Sequence, residues 1–137
     1  MVAELNIKEL LTYSLESGAS DLHLSVGSYP MVRINGQMKK LKLPIIELNT
    51  MESIRDEVLN EHQLKRFDEN LEIDFSAALE NKGRFRVNFF NQINGLSAVF
   101  RTIPSVIKNS EELGIPPIMN KLALKDRGLI LLTGPTG

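Results

Sequence analysis

An alternating stretch between residues 72 and 103 constrains the fold of this chain most strongly. Its apolar residues alternate with polar ones, and Asn94-Gly95 interrupts the pattern. Alternation is typical of strands with one buried face, and Asn-Gly is a strong signal for a tight hairpin turn. We therefore predict an antiparallel sheet with one polar face. The predicted strands are 72–79, 84–92 and 96–103, with turns at 81–83 and 94–95.

A second hairpin and three helices are predicted before this block. Asn35-Gly36 joins the runs 31–34 and 37–41, and a further alternating run spans 21–26. An asparagine followed three residues later by Glu or Gln can cap the free N–H groups at a helix start. The predicted caps are Asn6, Asn49 and Asn60. Because apolar residues recur at helical spacing after each cap, we expect an α+β fold with helices on one side of the sheet.

The composition excludes several classes of function. There is no cysteine among the 137 residues, which excludes disulfides and thiolate chemistry. The formal net charge of −1 does not favour nucleic acid as a partner. No apolar run approaches the roughly 20 residues of a membrane span, and the amino terminus lacks the layout of a signal peptide. We therefore expect a cytoplasmic protein that binds no nucleic acid and does not insert directly into a membrane.

The last ten residues, 128–137, break the alternation. Residues 129–132 are all apolar, which is typical of a strand that is covered on both faces in a parallel sheet. A glycine-rich segment follows, as at the start of a phosphate-binding loop. A strand that ends in an ordinary turn would show the same residues. The lysine and the hydroxyl residue of a complete phosphate loop are not among the 137 residues.

Three arginines are candidates for an anion site. Arg84 and Arg86 lie two residues apart on one predicted strand, so they share a face. A two-residue turn at Asn94-Gly95 would pair Asn88 with Arg101, which places Arg101 on that face as well. Neither of the two strands carries an acidic residue nearby, and guanidinium groups suit phosphate oxygens. The alternative is an ordinary solvated sheet face.

The remaining polar candidates predict no catalytic or metal site. His23 and His62 have no second ligand at metal-binding spacing, and we interpret both as solvated histidines. Glu72 and Asp74 are interpreted as the exposed face of a strand.

Five segments together resemble the N-terminal domain of the PilT family, the twitching-motility ATPases that retract type IV pili. They are 18–24, 84–88, 100–105, 111–114 and 127–137, so the resemblance extends along the whole chain. Single motifs are shared with the wider type II/IV secretion ATPase superfamily, but the short region before residue 18 favours the retraction motors. The resemblance implies a PAS-like domain (1–104), a linker with a short helix (105–127), and the first strand and partial Walker A loop of a RecA-like ATPase domain (128–137).

The resemblance also implies a nucleotide site. ATP and Mg²⁺ would bind the full-length protein, a homo-hexamer in which the nucleotide lies between the two domains. The implied nucleotide-binding residues are Arg84, Arg86, Arg101, Leu113, Gly114, Gly134, Pro135, Thr136 and Gly137. The catalytic boxes of the family lie beyond Gly137. We therefore expect no catalytic residue, no ATP hydrolysis and no bound cofactor in this fragment.

The implied partner is a pilus platform protein of the inner membrane, which would place the motor at the cytoplasmic face of that membrane. Two alternatives stay open. The chain could be the N-terminal domain of a related pilus-assembly or type II secretion ATPase, or a PAS-like sensory or interaction module. The predicted core of Ile, Leu, Val and Phe weighs against a sensor, because a sensor core needs polar groups for its ligand.

Overall fold

The computed structural model describes residues 5–80 and 82–134. The chain divides into two compact units, Met1–Pro104 and Ser105–Gly137. The elements of the first unit are α1 (Ile7–Glu16), β1 (Asp21–Ser25), β2 (Met31–Ile34), β3 (Gln37–Lys40), α2 (Leu48–Val58), α3 (Glu61–Asn70), β4 (Glu72–Leu79), β5 (Gly83–Gln92) and β6 (Gly95–Ile103). In the second unit the described residues contain α4 (Pro117–Ala123).

The six strands form one antiparallel sheet in the order β3-β2-β1-β6-β5-β4. Each predicted hairpin is present, and the predicted strand ends differ from the observed ones by at most one residue. The two hairpin blocks are joined by β1 and β6, which pair from Asp21↔Arg101 to Ser25↔Ser97. The α+β prediction is confirmed, and the PAS-like description stays a prediction.

One face of the sheet packs against α1, α2 and α3. At its centre the rings of Phe89 and Phe100 meet edge to face, with centroids 5.9 Å apart. Burying such a side chain contributes about 1.5–3 kcal/mol to folding. The buried core comprises Ile7, Leu10, Leu11, Leu22, Leu24, Val32, Met51, Ile54, Phe67, Ile73, Phe85, Val87, Phe89, Leu96, Ala98 and Phe100, together with Ala19, Ile46 and Leu59. The arginines therefore lie on the opposite face, which we call the polar face.

Two of the three predicted helix caps are present. The side chain of Asn6 accepts from the N–H groups of Lys8 and Glu9, and Asn60 forms a reciprocal capping box with Gln63. The prediction for Asn49 is wrong, because α2 begins at Leu48 with Glu47 at the cap position, two residues before Asn49, and the Glu47 side chain makes no cap bond. Tertiary contacts determine this start, since the neighbouring Ile46 is buried and its N–H donates to the Ser28 carbonyl.

The two Asn-Gly turns differ. Asn35 and Gly36 both have positive φ (50° and 78°), and Ile34 pairs with Gln37, as predicted. In the β5–β6 hairpin Gln92 pairs with Gly95, so the register is two residues away from the predicted one. Gly95 adopts a φ of 113° beside the Val26 side chain, a conformation that L side chains rarely adopt. A shift of two residues leaves every side chain on its predicted face.

In the second unit, residues 128–134 form no strand, and residues 129–132 are largely exposed within it. A strand needs a neighbour to satisfy its backbone N–H and C=O groups, and this short unit supplies none for these residues. Pro135, Thr136 and Gly137 lie outside the described residues. The ATPase-domain strand and the Walker A loop therefore stay predictions. Among the described residues, no helix combines the length and apolar character of a membrane span.

Candidate functional site

A line of charged side chains crosses the polar face. In the strand register Arg33 lies opposite Asp21, Asp21 opposite Arg101, and Arg101 opposite Arg86. The line therefore runs through β2, β1, β6 and β5, and we call these four residues the charged row. Directly paired residues point to the same side of a sheet, which brings the four side chains together on the polar face.

Asp21 is the buried member of the charged row, with only 4% of its surface exposed. Its Oδ1 accepts from Arg101 Nε at 2.9 Å, and its Oδ2 lies 3.3 Å from Arg33 Nε. Burial of the carboxyl group acts to raise its pKa, but hydrogen bonds from Arg101 and Ser20 and the charge of Arg101 outweigh burial and lower the pKa of Asp21. Asp21 is therefore ionised at neutral pH.

Arg86 has its own carboxylate, on β4. Arg86 Nε donates to both oxygens of Asp74 at 3.1 Å, and its Nη2 donates to Oδ2 at 2.7 Å. The hydrogen bond from Arg86 lowers the pKa of Asp74. As predicted, the strands that carry the arginines supply no acidic residue. The flanking strands β1 and β4 supply the acidic partners Asp21 and Asp74, which the prediction did not include.

The arginines differ in the donors they keep free. Arg101 bonds to Asp21 through Nε, and its terminal amino groups make no hydrogen bond with the residues that the structure describes. Arg84 is exposed on the polar face and has no ion pair among those residues. Arg86 is engaged through two of its nitrogens. As predicted, the three arginines share one face, and Arg84 and Arg101 can offer outward N–H donors to an anion.

His23 also belongs to the polar face, two residues after Asp21 on β1. It pairs with Val99 on one side and Met31 on the other, and its Nε2 is shielded and lacks a hydrogen-bond partner among the described residues. The prediction of a solvated histidine is therefore wrong for His23 and holds for the exposed His62. Burial lowers the pKa of His23, as do Arg33 and Arg101, whereas Asp21 acts to raise it.

Sequence reasoning missed Arg33 and Asp21 as members of the site. Both occupy polar positions of alternating strands, which was the available signal. Their proximity to Arg101 depends on the pairing of β1 with β6, which are about 80 residues apart in the chain and have no local sequence signal for contact.

The other predicted nucleotide residues lie in the second unit. Leu113 is 56% exposed, and Gly114 has a φ of 66° at the end of a turn. In this turn Asn109 and Glu112 bond reciprocally through side chain and backbone N–H. Gly134 is exposed within this unit. The role of these residues in nucleotide binding stays a prediction.

Comparison with known proteins identifies relatives along nearly the whole chain. The type IV pilus retraction ATPase PilT of Pseudomonas aeruginosa is 46% identical over 133 residues, which are 97% of this chain and 39% of that protein. A twitching motility protein of Neisseria gonorrhoeae is 47% identical over 108 residues, 79% of this chain and 29% of that protein. No protein-family model matches the chain.

The structural comparison agrees. The crystal structure of the pilus retraction motor PilT with bound ADP superposes with a TM-score of 0.79 and 38% identity, and the match covers 98% of this chain and 39% of that one. The α+β fold is thus found in a pilus motor protein. The chain belongs to the PilT family, and it spans well under half the length of the relatives it matches.

Proposed function

We propose that this chain is the N-terminal domain of a hexameric type IV pilus retraction ATPase, in which it supplies contacts between subunits and arginines near the nucleotide phosphates. The observation that carries this proposal is the presence of Arg84 and Arg101 on one sheet face with free N–H donors. The family relationship supports it, since the related motor structure contains ADP.

Phosphate recognition is the chemistry that suits these side chains. A guanidinium group presents a planar set of donors that matches phosphate oxygens, and it stays charged at all physiological pH values. Closure of an ATPase domain over the polar face would exclude water and strengthen these contacts. The arginines would then neutralise charge on the transferred phosphoryl group, as in other ATPases.

Arg86 would join the site by exchanging partners. Its ion pair with Asp74 is exposed, with 64% and 38% of the two side chains accessible. Exposed ion pairs contribute little to stability, because water screens them. A phosphate group with two or more negative charges can therefore displace Asp74 from Arg86.

The remaining elements of the proposal follow from the family. ATP and Mg²⁺ are the cofactors of the full-length protein. Leu113 and Gly114 lie in the linker near the nucleotide, and Gly134, Pro135, Thr136 and Gly137 begin the Walker A loop. The motor is a cytoplasmic homo-hexamer at the inner face of the cytoplasmic membrane, and its partner is the pilus platform protein.

The arginine role is tested in the full-length protein that contains this chain. Arg84→Ala, Arg86→Ala and Arg101→Ala are each expected to reduce steady-state ATPase activity roughly 10–1,000-fold, because they remove charge stabilisation near the phosphates. Thermal unfolding should change little for Arg84→Ala and Arg86→Ala, whose side chains are exposed. Arg101→Ala should also lower the unfolding temperature, because it leaves the buried Asp21 carboxylate with Arg33 as its remaining cation. Arg66→Ala on the exposed surface of α3 is the matched control and should retain full turnover. Wild-type turnover in all three polar-face variants would mean that these arginines have no role at the nucleotide and that the domain acts only as a scaffold.

The direction of the motor is tested in cells. Deletion of the gene should leave pili on the surface and abolish their retraction, because a retraction motor is dispensable for assembly. Loss of surface pili would instead assign the chain to the related pilus-assembly ATPases.

A further inference from the structure

We propose that Asp21 is a positioning residue that holds the Arg101 guanidinium in the orientation in which its terminal amino groups face outward. This inference rests on the proposed role of Arg101 at the nucleotide phosphates. In the strand register Arg101 lies directly opposite Arg86. Two cations at directly opposed positions repel each other. Their long side chains could adopt many different conformations that separate the two charges.

Asp21 can hold Arg101 in a single side-chain conformation because both carboxylate oxygens of Asp21 are themselves occupied. Oδ1 accepts from Arg101, while Oδ2 accepts from the Ser20 hydroxyl at 2.9 Å and faces Arg33. Ser20 is itself held in the sheet, since its N–H donates to the Arg33 carbonyl and its carbonyl accepts from Thr102. The carboxylate therefore has a defined plane, and the bond to Arg101 is directional.

Arg33 continues this support outward. Its Nε faces Asp21, and its Nη1 donates to the carbonyl of Gly36 in the β2–β3 turn at 3.3 Å. A chain of polar contacts thus runs from a rigid hairpin turn through Arg33 and Asp21 to Arg101. Asp21 has a cation on each side, so ionisation of this buried carboxyl group is balanced even while Arg101 contacts a ligand.

The consequence for Arg101 is preorganisation. Asp21 occupies Nε, so the guanidinium keeps its charge and both terminal amino groups for an anion. An arginine already held in its binding conformation loses less side-chain freedom when it binds. Arg86 provides the contrast, because Asp74 takes Nε and one terminal nitrogen and is itself exposed.

The geometry is tested in the 137-residue chain by the side-chain Nε–H signals of its arginines in NMR spectra. Asp21→Asn should move the signals of Arg101 and Arg33 towards those of free arginine and leave that of Arg86 in place. Asp74→Asn is the matched control and should do the reverse. Because Asp21→Asn removes a buried charge and can destabilise the fold, Arg33→Gln serves as a second variant, and it should also shift the Arg101 signal. An unchanged Arg101 signal in a folded Asp21→Asn or Arg33→Gln chain would overturn the proposal.

The functional consequence is tested in the full-length protein. A misplaced charge near the reacting group can cost about 100-fold in rate, so Asp21→Asn should lower kcat roughly 10–100-fold at saturating ATP. The Asp21→Asn/Arg101→Ala double variant should be no slower than Arg101→Ala alone, because Asp21 acts through Arg101. A purely structural role would instead give additive losses that follow the unfolding temperature.

The two hypotheses fail differently. If Arg101→Ala has wild-type turnover, the proposed function of this arginine is wrong, whatever the NMR spectra show. If Arg101→Ala is slow and a folded Asp21→Asn protein is fully active, Arg101 functions without Asp21 and the positioning role is wrong.

Discussion

Arg86 and Arg101 lie directly opposite each other on β5 and β6. Each is bound to a carboxylate on its other neighbouring strand, the one that lies away from the opposing arginine. Asp74 on β4 binds Arg86, and Asp21 on β1 binds Arg101. The two acids draw the guanidinium groups towards opposite edges of the sheet, so the like charges are tolerated. Arg86 and Arg101 therefore share one face without a bound anion between them.

The capping box at the start of α3 is expected to stabilise the domain. Asn60→Ala should lower the free energy of unfolding by about 1 kcal/mol, because the N–H of Gln63 loses its side-chain acceptor. Lys65→Ala is the control, since Lys65 is exposed in the middle of α3 and has no side-chain partner among the described residues, and it should stay within about 0.5 kcal/mol. Urea unfolding of the 137-residue chain measures both, and equal losses would contradict the assignment of the caps.

Stability should depend on pH through His23. Burial lowers the pKa of His23 in the folded state below the value of about 6.5 in the unfolded chain. The unfolded state therefore binds a proton first as the pH falls, so this contribution is complete above about pH 6.5 and decreases towards the lowered folded pKa. His23→Gln should flatten the stability profile between pH 7 and pH 5, measured by urea unfolding.

His62→Gln is the matched control for this profile, because His62 is exposed on α3. It keeps His23, so the pH dependence that His23 contributes should remain. A profile that flattens with His62→Gln and not with His23→Gln would contradict the prediction that His23 causes this pH dependence.

The centre of the core should be intolerant of truncation. Phe100 is fully buried and contacts Phe89 edge to face, so Phe100→Ala is expected to cost about 3–5 kcal/mol through lost burial and the cavity that remains. Ile93→Ala at the fully exposed tip of the β5–β6 turn should change stability by less than about 0.5 kcal/mol. Thermal and denaturant unfolding compare the two. Similar losses would mean that the sheet does not bury this face.

The 137-residue chain should bind ATP weakly or not at all. A phosphate loop holds the nucleotide through its lysine and the Mg²⁺ ion through its hydroxyl residue, and neither follows Gly137 in this sequence. Titration calorimetry with ATP and Mg²⁺ measures the affinity, with the full-length protein as the positive control. Micromolar binding by the short chain would show that the polar face alone forms the nucleotide site.

Local patterns in the sequence determined most of the secondary structure. Alternation and the Asn35-Gly36 turn predicted the strands because the period of two and the positive φ values act over a few residues. The caps at Asn6 and Asn60 were predicted for the same reason, while the cap at Asn49 was not correct because packing of Ile46 set the start of α2. Similarity to the PilT family was also contained in the sequence itself.

Tertiary structure alone decided the composition of the charged row. Arg84, Arg86 and Arg101 were placed on one face by strand parity, which survives a register shift of two residues. The members Asp21 and Arg33 could not be assigned in advance, because pairing of β1 with β6 joins segments about 80 residues apart and depends on burial of the whole sheet face. Side-chain spacing along a strand is a local property, whereas the neighbour across a sheet is set by the packing of the complete domain.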